Sequence, residues 1–194
     1  MGSEIQPALC AYCGLAPSET VDHIPPKLFF APPYPNNLLT VPACKACNKS
    51  FQSDDEYTRF IASIDFRAEK NPVAQLKMPA VLRSFQRPEA KPFSQYLLSQ
   101  MSNSIILAAD GKPMAQQVVV DKKRVEATGE RLVRGLYYIE KKIHLGSAKE
   151  FRVASRAGVS PTDPAIQQFA RMYAGCPDRR TKEIGEAFSY ACWP

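Results

Sequence analysis

The sequence predicts an α+β protein in which a small zinc-stapled module precedes a mixed α+β region with a basic charge. Three observations predict this arrangement. Two C-x2-C pairs lie in the first fifty residues, an amphipathic helical pattern follows them, and short helical and extended segments alternate over the remainder. We therefore expect a zinc-stapled module with its following helix at residues 1–69 and a basic α+β region at residues 70–194.

The composition excludes several classes of protein. The chain has 194 residues, of which 45% are hydrophobic and 23% are charged, as in an ordinary globular protein. No apolar run approaches the roughly 18 residues that a membrane span needs. Residues 1–7 lack the basic and apolar segments of a signal peptide, so we expect a cytoplasmic protein whose cysteines are reduced.

The net charge of +6 is unevenly distributed along the chain. Residues 1–69 carry a net charge of −3, whereas residues 70–194 carry +9. Such an asymmetry suggests a polyanionic partner such as nucleic acid. A solvated basic face on an ordinary domain is about as common, so charge alone leaves both interpretations open.

The first helix is predicted directly after the second cysteine pair. Ser53 and Glu56 have the spacing of a capping box, and apolar residues then recur at helical intervals to about residue 69. Beyond residue 71 short helices and strands are predicted to alternate. In chain order they are helices at 80–86 and 93–101, strands at 104–109 and 116–120, a strand at 151–154, a helix at 164–174 and a strand at 187–191.

A long basic helix is predicted to begin after Asp121, whose side chain can cap it. Gly129 and Gly135 weaken this helix locally. Its apolar face contains Val125, Leu132, Leu136 and Ile139.

The paired cysteines predict a structural zinc site. Cys10 and Cys13 form one C-x2-C knuckle, and Cys44 and Cys47 form the other. Four thiolates suit tetrahedral zinc, which stabilises small loop-rich folds by closing them around one centre. The two remaining cysteines stand apart and are expected to be small buried apolar residues: Cys176 and Cys192.

Polar residues around the knuckles are candidates for chemistry. His23 follows Asp22 between the two cysteine pairs, and Asn48 directly follows the second pair. A histidine beside a carboxylate offers a general base next to a ligand for a hard metal ion. Alternatively, His23 only forms hydrogen bonds within the module, while Asp22 and Asn48 cap turns or helices.

The segment from residue 10 to about residue 55 resembles the HNH nuclease family, the ββα-metal superfamily with added zinc knuckles. The similarity rests on C-x2-C, then Asp-His-Ile-Pro-Pro, then Asn-Leu-Leu-Thr-Val-Pro-Ala-Cys-Lys-Ala-Cys-Asn. It implies a ββα-metal, treble-clef-like module of the H-N-N type. On this resemblance Asp22 and Asn48 bind a catalytic divalent ion, His23 is the general base and Asn37 orients that base. Asn36 is a close alternative to Asn37.

The resemblance implies a metal-dependent DNA endonuclease of bacterial or phage origin. His23 would deprotonate water. One divalent ion, which we expect to be Mg²⁺, would offset the negative charge on the leaving 3′ oxygen, and the products would keep a 5′ phosphate. RNA is a less favoured substrate, and double-strand cleavage would need a homodimer or two sequential events. The alternative class is a non-catalytic zinc module that binds nucleic acid or protein.

The basic region supplies candidate contacts to the DNA backbone. Their alternative role is a solvated helix face, with Glu126 and Glu130 as helical neighbours. The candidates on the helix after Asp121 are Lys122, Lys123, Arg124, Arg131 and Arg134.

Overall fold

The computed structural model describes residues 8–64, 72–107, 110–111, 113–145, 164–175, 180–185 and 188–192. Over these residues the fold is mixed α+β, as the sequence predicts. It contains three two-stranded antiparallel sheets and several helices. The predicted strand at 151–154 and Cys176 lie outside the described residues, as does the side chain of Cys192.

The N-terminal part is a β-hairpin followed by helices. Strand β1 (Thr20–Ile24) pairs with β2 (Leu39–Ala43) in an unbroken register that sets Asp22 opposite Val41 and His23 opposite Thr40. Helix α1 (Lys45–Ser50) begins directly after β2, with Cys44 as its N-cap residue. The second cysteine pair therefore lies at the junction between the hairpin and α1.

Helix α2 (Gln52–Ile64) differs in detail from the prediction. It begins one residue before Ser53, because Phe51 already accepts a helical hydrogen bond from the amide of Asp55. Ser53 thus lies inside the first turn, where its hydroxyl accepts a hydrogen bond from Arg124 rather than capping the helix. The predicted continuation to residue 69 lies outside the described residues.

The middle of the chain forms two helices and a hairpin. Helix α3 (Pro72–Phe85) begins earlier than predicted and continues through Pro79. Helix α4 (Lys91–Ser99) precedes strand β3 (Met101–Leu107), which pairs with β4 (Pro113–Val118) through an irregular register. The alternation of helices and strands is as predicted, with boundaries that differ by a few residues.

Helix α5 (Lys122–Lys141) forms where the sequence predicts it. The carboxylate of Asp121 accepts a hydrogen bond from the amide of Lys123, as an N-cap should. The helix ends at Lys142, whose φ of 55° is left-handed. Helix α6 (Pro164–Ala174) is also as predicted, and β6 (Phe188–Cys192) pairs with a strand that the prediction missed, β5 (Arg180–Ile184).

Helix α5 joins the two predicted regions. It packs against β1, β2 and α2, and Leu132 and Leu136 cover the buried cluster around Cys10, Ile24 and Val41. A second buried cluster combines Tyr57 and Ile61 of α2 with two residues of the later region, Leu97 and Val125. The boundary at residue 69 stays a prediction, and both buried clusters contain or contact residues from either side of it.

Within the described part of the chain, no helix combines the length and the apolar character needed to cross a membrane.

Candidate functional site

Four cysteine side chains meet at the end of the hairpin. The sulfur atoms of Cys10, Cys13, Cys44 and Cys47 all lie within 4.8 Å of one another. Gly14 has the positive φ of 65° that closes the first knuckle, and its amide donates to the carbonyl of Cys10 at 2.8 Å. The predicted convergence of the two cysteine pairs is confirmed, and the cluster can hold a zinc ion.

The pKa values of Cys13 and Cys47 are shifted in opposite directions. Burial opposes ionisation of Cys13, but the backbone amides of Ala16 and Leu15 and the neighbouring thiols outweigh it and lower its pKa to about 7. Burial and the surrounding sulfur atoms raise the pKa of Cys47. One thiolate thus forms easily while the accumulation of further negative charge is resisted, which a bound divalent cation would relieve.

A cleft of about 390 Å³ lies between β1, α1, α2 and α5. It brings together three of the predicted catalytic and metal-binding residues, because Asp22, His23 and Asn48 all line it. Adjacent residues of a regular strand face opposite sides, and here Asp22 is buried while His23 is half-buried. Both reach the cleft although the register of β1 shows no bulge.

His23 is available for proton transfer. His23 lines the cleft, and among the described residues no group forms a hydrogen bond with its imidazole. Burial, together with the positive charge of Lys27, lowers the pKa of His23 despite the opposing effect of Asp22. A lowered pKa keeps the imidazole neutral near pH 7, as a general base requires.

Asp22 is held tightly at the base of the cleft. Its carboxylate accepts hydrogen bonds from the hydroxyl of Tyr12, from the guanidinium of Arg131 (Nε to Oδ2, 3.0 Å) and from the amide of His23 (2.9 Å). Burial and, to a lesser extent, the nearby negative charge of Asp22 raise the pKa of Tyr12, so the phenol remains a donor. These donors occupy about four acceptor positions, which is the full capacity of a carboxylate.

Arg131 is an interior residue. It is 3% exposed and forms ion pairs with both Asp22 and Asp55. Its guanidinium also lies 5.0 Å from the ring centroid of Phe51. This placement disagrees with the prediction that Arg131 contacts DNA phosphates, because its charge is already used between two buried carboxylates.

Two other predicted phosphate contacts also have internal partners. Arg124 donates to Asp54 at 2.8 Å, and its guanidinium lies 4.9 Å from the ring centroid of Tyr57. Arg134 donates to Glu130 at 2.9 Å and to the carbonyl of Leu145 at 2.8 Å. Both are half-buried, so their fit to the predicted role is poor. Lys122 and Lys123 are exposed and fit it better.

Asn37 lies away from the cleft. Its side chain donates to the carbonyl of Glu183 at 2.9 Å and accepts from the amide of Gly185 at 3.3 Å, so it binds the turn between β5 and β6. Neither of these hydrogen bonds involves His23, and Asn36 is an exposed neighbour in the same loop. Asn48 differs, because it lines the cleft and donates to Thr20 at 3.1 Å.

Helix α2 contributes to the cleft in a way that was not predicted from the sequence. Four residues of this helix recur at helical spacing and line the cleft, and Lys27 from the segment after β1 lines it as well. A polar stripe on the otherwise amphipathic helix was the available signal. The four residues are Gln52, Asp55, Glu56 and Arg59.

The cleft offers oxygen donors that suit a hard divalent cation. Asn48 and Asp55 supply an amide and a carboxylate oxygen, the ligands that Mg²⁺ prefers, whereas the oxygens of Asp22 are already occupied. Oδ1 of Asp55 is buried and, among the described residues, has no hydrogen-bond partner. An orphaned buried carboxylate oxygen is a position that a cation would satisfy, so the residues present fit such an ion.

Comparison of the chain with family models, curated proteins and solved structures gives no match.

Proposed function

We propose that this protein is a metal-dependent endonuclease of the HNH type that hydrolyses DNA phosphodiester bonds. One observation carries the proposal: His23, Asn48 and the carboxylate of Asp22 line a single cleft beside the four-cysteine cluster. The order of hairpin and helix around that cleft is compatible with the ββα-metal module that the sequence resembles.

His23 serves as the general base. Its imidazole has no competing hydrogen bond among the described residues, and its lowered pKa maintains the neutral form that can take a proton from water. Asp22 holds the backbone amide of His23 through a hydrogen bond of 2.9 Å. That contact fixes the backbone of β1 at His23.

Asn48 would hold the divalent ion, for which Mg²⁺ is the expected species. Asp22, which the resemblance also implies as a ligand, would act through its negative charge, because Tyr12, Arg131 and the amide of His23 occupy its acceptor positions. When bound, such an ion stabilises the negative charge that accumulates on the leaving 3′ oxygen, and the products keep a 5′ phosphate. The hydrogen bond from Asn48 to Thr20 leaves the amide oxygen of Asn48 for a cation. Arg131 and Tyr12 fix the orientation of Asp22.

The four cysteines would hold a structural zinc ion. Cys10 and Cys13 precede the hairpin and Cys44 and Cys47 follow it, so a zinc ion would fasten both ends of the hairpin to α1. A reducing compartment such as the cytoplasm would keep these thiols available.

DNA is the proposed substrate, with RNA less favoured. Exposed Lys122 and Lys123 at the start of α5 are the remaining candidates for phosphate contacts. A single cleft acts on one strand, so cleavage of both strands would need a homodimer or two successive events.

Plasmid cleavage tests the proposal. Supercoiled DNA incubated with the purified protein should be nicked in Mg²⁺ or Mn²⁺, and a chelator of divalent ions that leaves the zinc in place should stop the reaction. A protein that retains zinc and binds nucleic acid but cleaves neither DNA nor RNA with any divalent ion would instead be the non-catalytic zinc module.

A further inference from the structure

The buried ionic cluster beneath the cleft has unequal numbers of charges. Asp22 is 6% exposed, Asp55 is 3% exposed, and the single guanidinium of Arg131 lies between them. Two carboxylates facing one guanidinium leave an excess of one negative charge when both are ionised. Excess buried charge is costly unless a further cation or proton compensates it.

The neighbouring charges do not remove this excess inside the cluster. Glu56 and Arg59 pair with each other at 3.4 Å, so they contribute no net charge. Lys27 is exposed at the entrance to the cleft, where solvent screens it. The compensating cation or proton is therefore needed at the buried carboxylates themselves.

The two carboxylates differ in their free capacity. Asp22 already accepts from Tyr12, Arg131 and the amide of His23, which occupies its acceptor positions. Asp55 uses Oδ2 in its ion pair with Arg131, while its Oδ1 is buried and has no partner among the described residues. Asp55 also lines the cleft that contains Asn48 and His23.

We propose that Asp55 is a ligand of the divalent ion in this cleft and supplies the carboxylate oxygen that Asp22 does not have free. Asp55 lies on α2, outside the motif residues that the resemblance assigns. This inference rests on the proposed function, because it names a further residue of the same metal site. It also explains the ionic cluster, because Arg131 then fixes both carboxylates while the ion compensates the excess negative charge.

Direct binding of Mn²⁺ to the zinc-loaded protein tests the proposal without relying on cleavage. Electron paramagnetic resonance should detect about one Mn²⁺ per wild-type chain. Asp55→Asn, which keeps the size of the side chain and removes its charge, should weaken Mn²⁺ binding by at least about tenfold. The matched control is Asp54→Asn, because Asp54 pairs with Arg124 and does not line the cleft, and its effect on Mn²⁺ binding should be less than about twofold.

Thermal unfolding separates this role from a purely structural one. Without divalent ions other than zinc, Asp55→Asn should unfold at the same temperature as the wild type or higher. Arg131 retains its ion pair with Asp22 in this variant, and the excess negative charge of the cluster is removed. Added Mn²⁺ should raise the unfolding temperature of the wild type and leave that of Asp55→Asn unchanged. If Asp55→Asn does not fold, nuclear magnetic resonance of the wild type provides the test. Titration with Mn²⁺ should then broaden the amide signal of Asp55 among the first signals to be affected.

Three results would overturn the inference: wild-type affinity for Mn²⁺ in Asp55→Asn, no Mn²⁺ binding by the wild type, or no broadening at Asp55. A failure of the proposed function can be distinguished from a failure of this inference. A protein that binds Mn²⁺ through Asp55 but cleaves no nucleic acid would refute the nuclease activity alone, and an active nuclease with unchanged Mn²⁺ affinity in Asp55→Asn would refute this inference alone.

Discussion

At the scale of single residues, the protonation of His23 is controlled by its surroundings. Burial and the positive charge of Lys27 lower the pKa of His23, and Asp22 acts in the opposite direction. A base with a lowered pKa stays neutral further into the acid range. If His23 is the general base, the acid limb of the pH profile of kcat/KM therefore lies below the ordinary histidine pKa of about 6.5.

Replacing Lys27 by Ala should shift that limb to higher pH. The variant loses a cation that disfavours the imidazolium, so the pKa of His23 rises and protonated, inactive enzyme accumulates at a higher pH. The measurement is kcat/KM for cleavage of a short duplex between pH 5 and 8. Lys45→Ala is the control, because Lys45 pairs with Glu19 at 3.1 Å outside the cleft. A limb that stays in place in Lys27→Ala would contradict the assignment.

Tyr12 is a second residue whose environment predicts a measurable effect. Its buried hydroxyl donates to Asp22, and Tyr12→Phe leaves that carboxylate with one donor fewer in the interior. Loss of a hydrogen bond to a buried charge costs about 1–3 kcal/mol, so the free energy of unfolding in urea should fall by about that amount. Tyr34→Phe, at an exposed tyrosine, should change it by less than about 0.5 kcal/mol. Equal stabilities of the two variants would mean that Tyr12 does not hold Asp22.

At the scale of secondary structure, the approach of α5 to β1 depends on one glycine. A Cβ atom at Gly135 would lie 2.6 Å from Cγ1 of Ile24 and 2.7 Å from its Cδ1. In the sequence alone, Gly135 indicates only a local weakness of the helix. The structure shows why a residue without a side chain occupies it, since α5 packs against the hairpin at this position.

Gly135→Ala should therefore destabilise the protein, although alanine favours an isolated helix. Overpacking of a buried contact costs about 1–3 kcal/mol, which exceeds the gain of about 1 kcal/mol in helix propensity. Ile24→Ala removes the obstructing atoms, so the double variant should be more stable than the sum of the two single effects predicts. Urea unfolding of the four proteins measures this coupling, and strict additivity would contradict the proposed contact.

The secondary structure was predictable where the signal is local. The apolar period and Asp121 identify α5, and the paired cysteine spacing identifies the four-cysteine cluster that can hold a metal ion. The position of Arg131 was not predictable in this way, because arginine on a helix is usually exposed and its partner Asp22 is 109 residues away along the chain. The contact of Asn37 with the turn before β6 is likewise a long-range contact that no local pattern indicates.

At the scale of the whole molecule, the basic charge of the later region is less available than the sequence suggests. Arg124, Arg131 and Arg134 have internal partners, which leaves Lys122 and Lys123 exposed among the five predicted phosphate contacts. The interior charges instead connect the later region to the cleft. We therefore expect residues 70–194 to maintain the site as well as to hold substrate.

Replacing Lys122 and Lys123 together by Ala should reduce the salt dependence of DNA binding. If each side chain contacts one phosphate, the slope of log affinity against log salt becomes less steep by up to about 2, for all sequences alike. Lys141→Ala with Lys142→Ala is the matched control, at the opposite end of the same helix and about 30 Å away. An unchanged slope in the Lys122 and Lys123 variant would place the DNA-binding surface elsewhere.

The most direct test of the whole account is single-turnover cleavage of a labelled DNA duplex by His23→Ala. The variant should retain zinc and bind DNA with wild-type affinity, while the cleavage rate falls by about two to four orders of magnitude, the usual contribution of a positioned base. His144→Ala, at the other histidine of the chain, should retain most of the wild-type rate once its zinc content is verified. A wild-type cleavage rate in zinc-loaded His23→Ala would contradict the account.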